Sequence, residues 1–370
     1  MKSIIRIVLV TSLAILIQCS SQKNNLNFTT LNSSYLISYI KDNSTLYTFD
    51  TKTQNSLFIH ADNHIAAPSW SPDKDKIIYY TTSGQNYQIN IYDLNNLKTI
   101  HSENVGHFDS FKNILKATWY DTINVVYCDA IGIKFLNIKN DSTQRLIKHN
   151  KILDYNLCSN KKLVFVSDDS LFVKKNVFDQ NTDFILKLGY VKIYCLSSSA
   201  DGNQVLISHD DGIDQIDLND KSCKMIYSSD KEIYWVDWIG PNDLIFLEGK
   251  PAHQYGFDSR RTYFLVTFNP SAGINFGLKT SGQDYRVKSS GYFYIKTISL
   301  KSGELSVKNL FRSTGNVYSV NPVLSPDRKL LAFISNSRNT VRKTFVLSVN
   351  DGRLSQIEDD GICSYPIFID

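Results

Sequence analysis

Residues 66 to 96 read AAPSWSPDKDKIIYYTTSGQNYQINIYDLNN, and the fold follows from how this stretch is built. Ser71-Pro72-Asp73 is a tight-turn sequence. Pro presets φ at about −65°, and Ser and Asp side chains hydrogen-bond nearby backbone groups. The apolar run from Ile77 to Tyr80 then pairs back, antiparallel, on the strand before the turn. A third strand around Ile89 and Ile91 alternates apolar and polar residues and ends at Asp93, where a second turn begins. No stretch of the chain sustains a helical period.

The unit recurs. It returns as NPVLSPDRKLLAFIS and KTFVLSVNDG within 321 to 352, and as CLSSSADGNQVLISHDDGIDQIDLND over 195 to 220. Strands end in a polar residue at Asp50, Asp93, Asn137, Asn176, Asp217, Asn269, Ser299 and Asn350, at a mean spacing of about 43 residues. That is the length of one four-stranded propeller blade. A repeat of this kind lets one domain exceed the size of a single compact core, because each unit is buried by its neighbours.

Strands before the turns pass Trp70, Trp119, Asn156, Ser197, Trp238, Leu324 and Phe368, and the step from Trp238 to Leu324 is 86 residues, two blades long. A degenerate eighth blade and an insertion in a seven-bladed ring both fit that step; eight is the preferred count. Residues 35 to 60 supply three strands without an inner one, and Ser364 to Ile369 supply an inner strand with nothing after it. The expected fold is therefore an all-β propeller over 35–370, of seven or eight four-stranded antiparallel blades, its ring closed by the C-terminal strand.

The Trp-Ser-Pro-Asp turn, followed by a strand and then a strand ending in Asp, resembles the TolB-type, WD40-like (PD40) propeller repeat. Gly is usual as the fourth turn residue; here it stands only at Gly202, with Lys74 and Arg328 in its place elsewhere. The resemblance implies a propeller and little about activity. The N-terminal domain of TolB has no room in this chain.

Lys2 and Arg6 precede an apolar run from Ile7 to Ile17, too short to span a bilayer. With Cys19 and the polar stretch after it, residues 1–18 resemble a bacterial lipoprotein signal, which implies lipid attachment at Cys19 and a polar tether over 19–34. The expected location is the cell envelope, anchored to a membrane and facing the periplasm or the surface. Without the signal, Lys+Arg falls from 40 to 38 against 36 Asp+Glu, and no basic run occurs, which argues against nucleic acid as a partner. The remaining cysteines, 128, 158, 195, 223 and 363, lack any C-x-x-C pair and read as small hydrophobes.

No G-x-S-x-G, H-E-x-x-H, Walker A or EF-hand pattern occurs. In a propeller, the connections from outer strand to next inner strand, and from second to third strand, open on one face. The seven histidines (60, 64, 101, 107, 149, 209 and 253) are expected in such connections. Two connections on that face read as long loops: Glu103 to Asn113, with His107 and Phe108, and Glu248 to Arg261, with His253, Tyr255, Arg260 and Arg261. Aromatic, Arg and acidic residues together suit sugar or peptide contact, and these six are the candidate ligand-binding residues. The tryptophans before the turns read as inter-blade packing.

The expected function is a membrane-tethered, non-catalytic module, without cofactor, that binds an envelope protein or glycan. The alternative is a carbohydrate-active enzyme such as a metal-assisted, oligogalacturonate-type lyase, which would need a divalent metal held by loop histidines.

Overall fold

The computed structural model describes residues 35–83, 85–107, 114–149, 151–190, 192–250, 264–269, 273–280, 283–286, 292–300, 305–314, 320–336, 342–357 and 362–369. Seven four-stranded antiparallel sheets stand in a ring as the blades of a β-propeller. The second blade shows the pattern, with Ala66–Trp70, Lys76–Ser83, Asn86–Asp93 and Lys98–His107 side by side from the axis outward. The first blade takes Leu36–Lys41, Thr45–Asp50 and Asn55–Ala61 from one end of the chain. Its inner strand, Cys363–Ile369, comes from the other end and pairs with Leu36–Lys41.

The preferred count of eight is corrected to seven among the described residues. In the sixth blade Asp243–Lys250 pairs with Tyr292–Ser299 without a break, from Asp243 opposite Ser299 to Lys250 opposite Tyr292. Residues 251–291 therefore leave the blade through this hairpin and return to it. Their strands Phe264–Asn269, Gly273–Thr280 and Gln283–Arg286 form a separate three-stranded sheet. Asn269, read as the end of a blade strand, belongs to that sheet. The long step in the repeat is an insertion.

The Ser-Pro-Asp turn has the structure its residues dictate. Ser71 Oγ accepts the Lys76 N–H at 3.0 Å and donates to Asp73 at 2.5 Å. The same bonds recur at Ser199 with Gln204 and Asp201, and at Ser325 with Leu330 and Asp327. The fourth turn residue has positive φ each time: 62° at Lys74, 66° at Gly202 and 59° at Arg328. The drifted fourth-blade turn holds Lys161 at 66°. Gly is favoured there because a Cβ crowds the left-handed backbone, so Lys74, Lys161 and Arg328 carry a strain that Gly202 does not.

Seven apolar clusters fill the seven gaps between neighbouring blades. One joins Ile78 and Tyr80 of the second blade to Trp119 and Val125 of the third; another joins Leu330 and Val346 of the seventh to Ile37 and Phe49 of the first. The remaining five lie in the other gaps. Trp119 and Trp238 are buried in these gaps. Cys128, Cys158 and Cys363 are buried, and no disulfide joins the five described cysteines. No helix among the described residues is long and apolar enough to cross a membrane.

Candidate functional site at the axial channel

In five blades the inner strand carries one extra residue relative to its neighbour. In the fifth blade Ile193 and Cys195 face consecutive positions of the neighbouring strand, and Tyr194 bulges out of register. In the sixth blade Tyr234 bulges in the same way between Ile233 and Trp235. The second and fourth blades carry comparable shifts at Ala66–Ser69 and Ile152–Asp154. Bulges re-aim side chains. Here they bring two phenol rings to the channel, with centroids 4.8 Å apart and planes inclined by 50°.

A cavity of about 760 Å³ runs along the axis. Its wall includes Tyr194, Tyr234, Trp235 and Tyr365 together with Lys116, Asp154, Asp237 and Arg328. The volume lies within the range of small-ligand sites, and concave sites with a few placed polar groups are the usual binding sites of proteins.

Both charge pairs in the wall are closed on themselves. Lys116 Nζ donates to Asp154 Oδ1 at 2.8 Å and to the Tyr155 carbonyl at 2.5 Å. Asp154 Oδ2 accepts the Leu196 N–H at 2.9 Å. Burial alone would lower Lys116, but the Asp154 carboxylate more than offsets it and holds the amine above its usual value. Ser197 Oγ donates to Asp237 at 2.6 Å, and Arg328 lies 3.4 Å from the same carboxylate while donating to the Trp238 carbonyl.

These contacts belong to a larger series that crosses every gap of the ring. Trp70 Nε1 donates to Ser38 Oγ at 2.8 Å, and Trp119 Nε1 donates to the Ser69 carbonyl at 3.1 Å. Lys116, Asp154 and Leu196 join the third, fourth and fifth blades, while Ser197, Asp237 and Arg328 join the fifth, sixth and seventh. Tyr35 OH donates to Asp327 at 2.7 Å between the first and the last. The charged wall groups are thus already engaged as blade-to-blade ties.

At the mouth, Glu232 gathers two donors. Lys192 Nζ reaches it at 2.8 Å and the Tyr234 hydroxyl donates to its other oxygen. Partial burial would raise the Glu232 carboxyl, but Lys192, Tyr234 and Tyr194 outweigh it and hold it below the usual range.

The residues expected to bind ligand fare differently. His107 closes the outer strand of the second blade, with Nε2 2.8 Å from Gln85 Oε1. Phe108, His253, Tyr255, Arg260, Arg261 and the lipid-site Cys19 lie outside the described residues. Glu103 and Glu248, read as loop ends, are strand residues with engaged carboxylates. Glu103 lies between Lys134 and Tyr127, and the fully buried Glu248 between Lys231 and Lys296.

The histidines are not all on one face. His60, His101 and His209 lie within strands. His101 bonds Asp141 at 2.7 Å, in the turn between third and fourth strands of the next blade, at the opposite end of the ring. His60 bonds Tyr79 at 2.8 Å and His149 bonds Ser167 at 2.5 Å. Each of these pairs is local. Among the described residues one group, His209, Asp210 and Asp211, is close enough to share an ion, and it sits on a single hairpin. His209 Nδ1 there accepts the Asp211 N–H at 3.2 Å, which occupies the lone pair an ion would take.

Sequence reasoning missed Tyr194 and Tyr234. The signal was present: Ile-Tyr at 193–194 returns at 233–234, at the same place in consecutive units.

Solved structures of distant sequence resemble the chain, among them a β-propeller domain. A functionally unknown protein from Desulfotomaculum acetoxidans is 9% identical, with 91% of this chain and 99% of that chain covered, at a TM-score of 0.57. The β-propeller domain of Cps50 (Swd1) from Myceliophteria thermophila is 12% identical, with 82% and 89% covered, at 0.53. TolB from Acinetobacter baumannii is 12% identical, with 93% and 67% covered, at 0.47. No family model matches the chain, and no curated protein does. The likeness shows the fold alone.

Proposed function

We propose that this chain is a non-catalytic binding module of the cell envelope, tethered to a membrane through Cys19, that takes a protein or glycan at the mouth of its axial channel. The observation that carries this reading is the wall of the cavity. Its aromatic side chains are positioned by strand bulges, while its charged groups are bound to one another across the blade gaps. A general acid or base needs a proton free to move to a reacting atom; a tie between blades is poorly suited to that. The repeat is read as the PD40 type, and the pairing of Leu36–Lys41 with Cys363–Ile369 as the clasp that closes the ring.

The mouth lies on the face where Lys250 and Tyr292 end their strands, and His253, Tyr255, Arg260 and Arg261, together with His107 and Phe108, are kept as proposed contacts. Nothing in the placement of the described histidines favours the metal-assisted lyase. The test is capture from envelope extract, together with a glycan array. It compares the parent with the variant carrying Ala at 253, 255, 260 and 261 and with Tyr194→Ala, at matched melting temperature. Loss of the same captured species in both variants supports the reading; equal capture by all three proteins removes the mouth from function. Cys19→Ala is expected to move the protein from the membrane fraction to the soluble envelope fraction.

A further inference from the structure

We infer that the channel ligand is a neutral oligosaccharide, one sugar ring of which stacks on the Tyr194–Tyr234 pair. This rests on the reading of the channel mouth as the binding site and names the ligand class.

Glu232 fixes the polar end of the aromatic pair. Its carboxylate accepts the Tyr234 hydroxyl and is itself neutralised by Lys192. The Tyr234 hydroxyl is thus consumed by Glu232 and the Tyr194 hydroxyl is buried, so the ring faces are what remains for a ligand. Both side chains are half-buried, and their rings hold a fixed mutual angle at 4.8 Å. Two aromatic rings immobilised before binding form a platform of low entropic cost, the arrangement that suits the C–H face of a pyranose.

Charge decides the kind of sugar. A polyuronate such as oligogalacturonate brings one carboxylate per residue and needs cations free to meet it. Inside the channel the cations among the described wall residues are Lys116 and Arg328; each has a carboxylate, at 2.8 and 3.4 Å, and each also donates to a backbone carbonyl. Drawing either toward a ligand would leave Asp154 or Asp237 without its counter-charge in a partly desolvated wall. A neutral sugar asks only for hydrogen bonds, which Asn156, Ser198 and Asn321 of the lining can exchange with hydroxyl groups.

The experiment is calorimetric and fluorescence titration of the full mature chain with two oligomer series of equal length. One series is neutral (gluco-, manno-, xylo- and N-acetylglucosamine oligomers); the other is uronate (galacturonate and mannuronate oligomers). The proteins are the parent, the Tyr194→Ala/Tyr234→Ala double variant and Tyr194→Phe. The expected result is saturable binding of at least one neutral series by the parent, a loss of tenfold or more in the double variant, and near-parental affinity in Tyr194→Phe, which keeps the ring. Uronates are expected to bind at least tenfold more weakly. Tighter binding of uronates, binding indifferent to the double substitution, or no neutral oligomer bound would each overturn the inference. Capture of an envelope protein in a Tyr194-dependent way, without sugar binding, would overturn it and leave the channel-mouth reading standing.

Discussion

Lys116 and Asp154 form an ion pair of 2.8 Å across the boundary between the third and fourth blades, and the two side chains differ in burial, 32% and 6% exposed. Removing the lysine strands a carboxylate that is almost wholly out of water. Loss of one partner of a fully buried pair costs about 3–5 kcal/mol, and the partial exposure of Lys116 reduces that to about 1–3 kcal/mol. Lys116→Met is therefore expected to lower the urea midpoint clearly. Lys116→Met/Asp154→Leu should recover part of the loss, because no uncompensated charge is left. A single variant with the parental midpoint would show that the pair is not a tie between blades.

Acid sensitivity should originate at buried imidazoles. Burial lowers the pKa of His60, against Asp62, and of His209, against Asp210 and Asp211. An unfolded histidine titrates at about 6.5. As pH falls through that value the unfolded chain takes up protons that the folded chain refuses, so stability present above it is lost on acidification. Asp214, raised by burial, acts in the opposite sense at lower pH, because its folded form takes up a proton first. Urea midpoints at pH 7.5 and 5.5 should fall for the parent and fall less for His209→Gln. Parallel falls in the two proteins would assign the acid response elsewhere.

Two turns with the same backbone should respond in opposite ways to glycine. Lys74 and Arg328 have φ of 62° and 59°. Among the described residues the Lys74 side chain makes no hydrogen bond, so Lys74→Gly should relieve strain and gain about 0.5 kcal/mol after the extra entropy of unfolded glycine. Arg328→Gly relieves the same strain but removes the contacts to Asp237 and the Trp238 carbonyl, and should lower the melting temperature. Equal shifts in both would mean that the Arg328 contacts add nothing.

The insertion and the terminal strand make a contrasting pair. Replacing 251–291 by Asn-Gly joins Lys250 to Tyr292 through a two-residue hairpin turn, at a point where the strands already face each other. The resulting chain is expected to melt cooperatively within a few degrees of the parent. Deleting 363–370 instead exposes the Leu36–Lys41 edge and uncovers Ile37 and Phe49, and should cause aggregation or a large fall in melting temperature. The opposite pattern would place an essential blade strand within 251–291.

The blade architecture was legible because the repeat writes it locally. Ser71, Ser199 and Ser325 each make the same turn with the same Asp two positions on, and such short-range chemistry survives in sequence. The count of seven was not legible, since strands that pair across residues 251–291 meet through register, which spacing cannot report. The histidines were misplaced for a related reason. His101 and His60 were read as loop residues, but outer strands of a propeller are solvent-washed along one side and tolerate polar residues within the strand. Tyr194 and Tyr234 were hidden by a single inserted residue in each inner strand, which leaves composition unchanged and alters only direction.

The place where the chain enters the ring has a mechanical meaning. Leu36–Lys41 runs between Thr45–Asp50 on one side and Cys363–Ile369 on the other, antiparallel to both. Force applied through the backbone ahead of Tyr35 acts along the strand axis, so both ladders are loaded in shear and their hydrogen bonds must yield together. A terminal strand on an open edge would instead peel one bond at a time. Pulled from that end, the ring should resist as a whole and then fail abruptly, with the seam at Tyr35 and Asp327 opening in the same event.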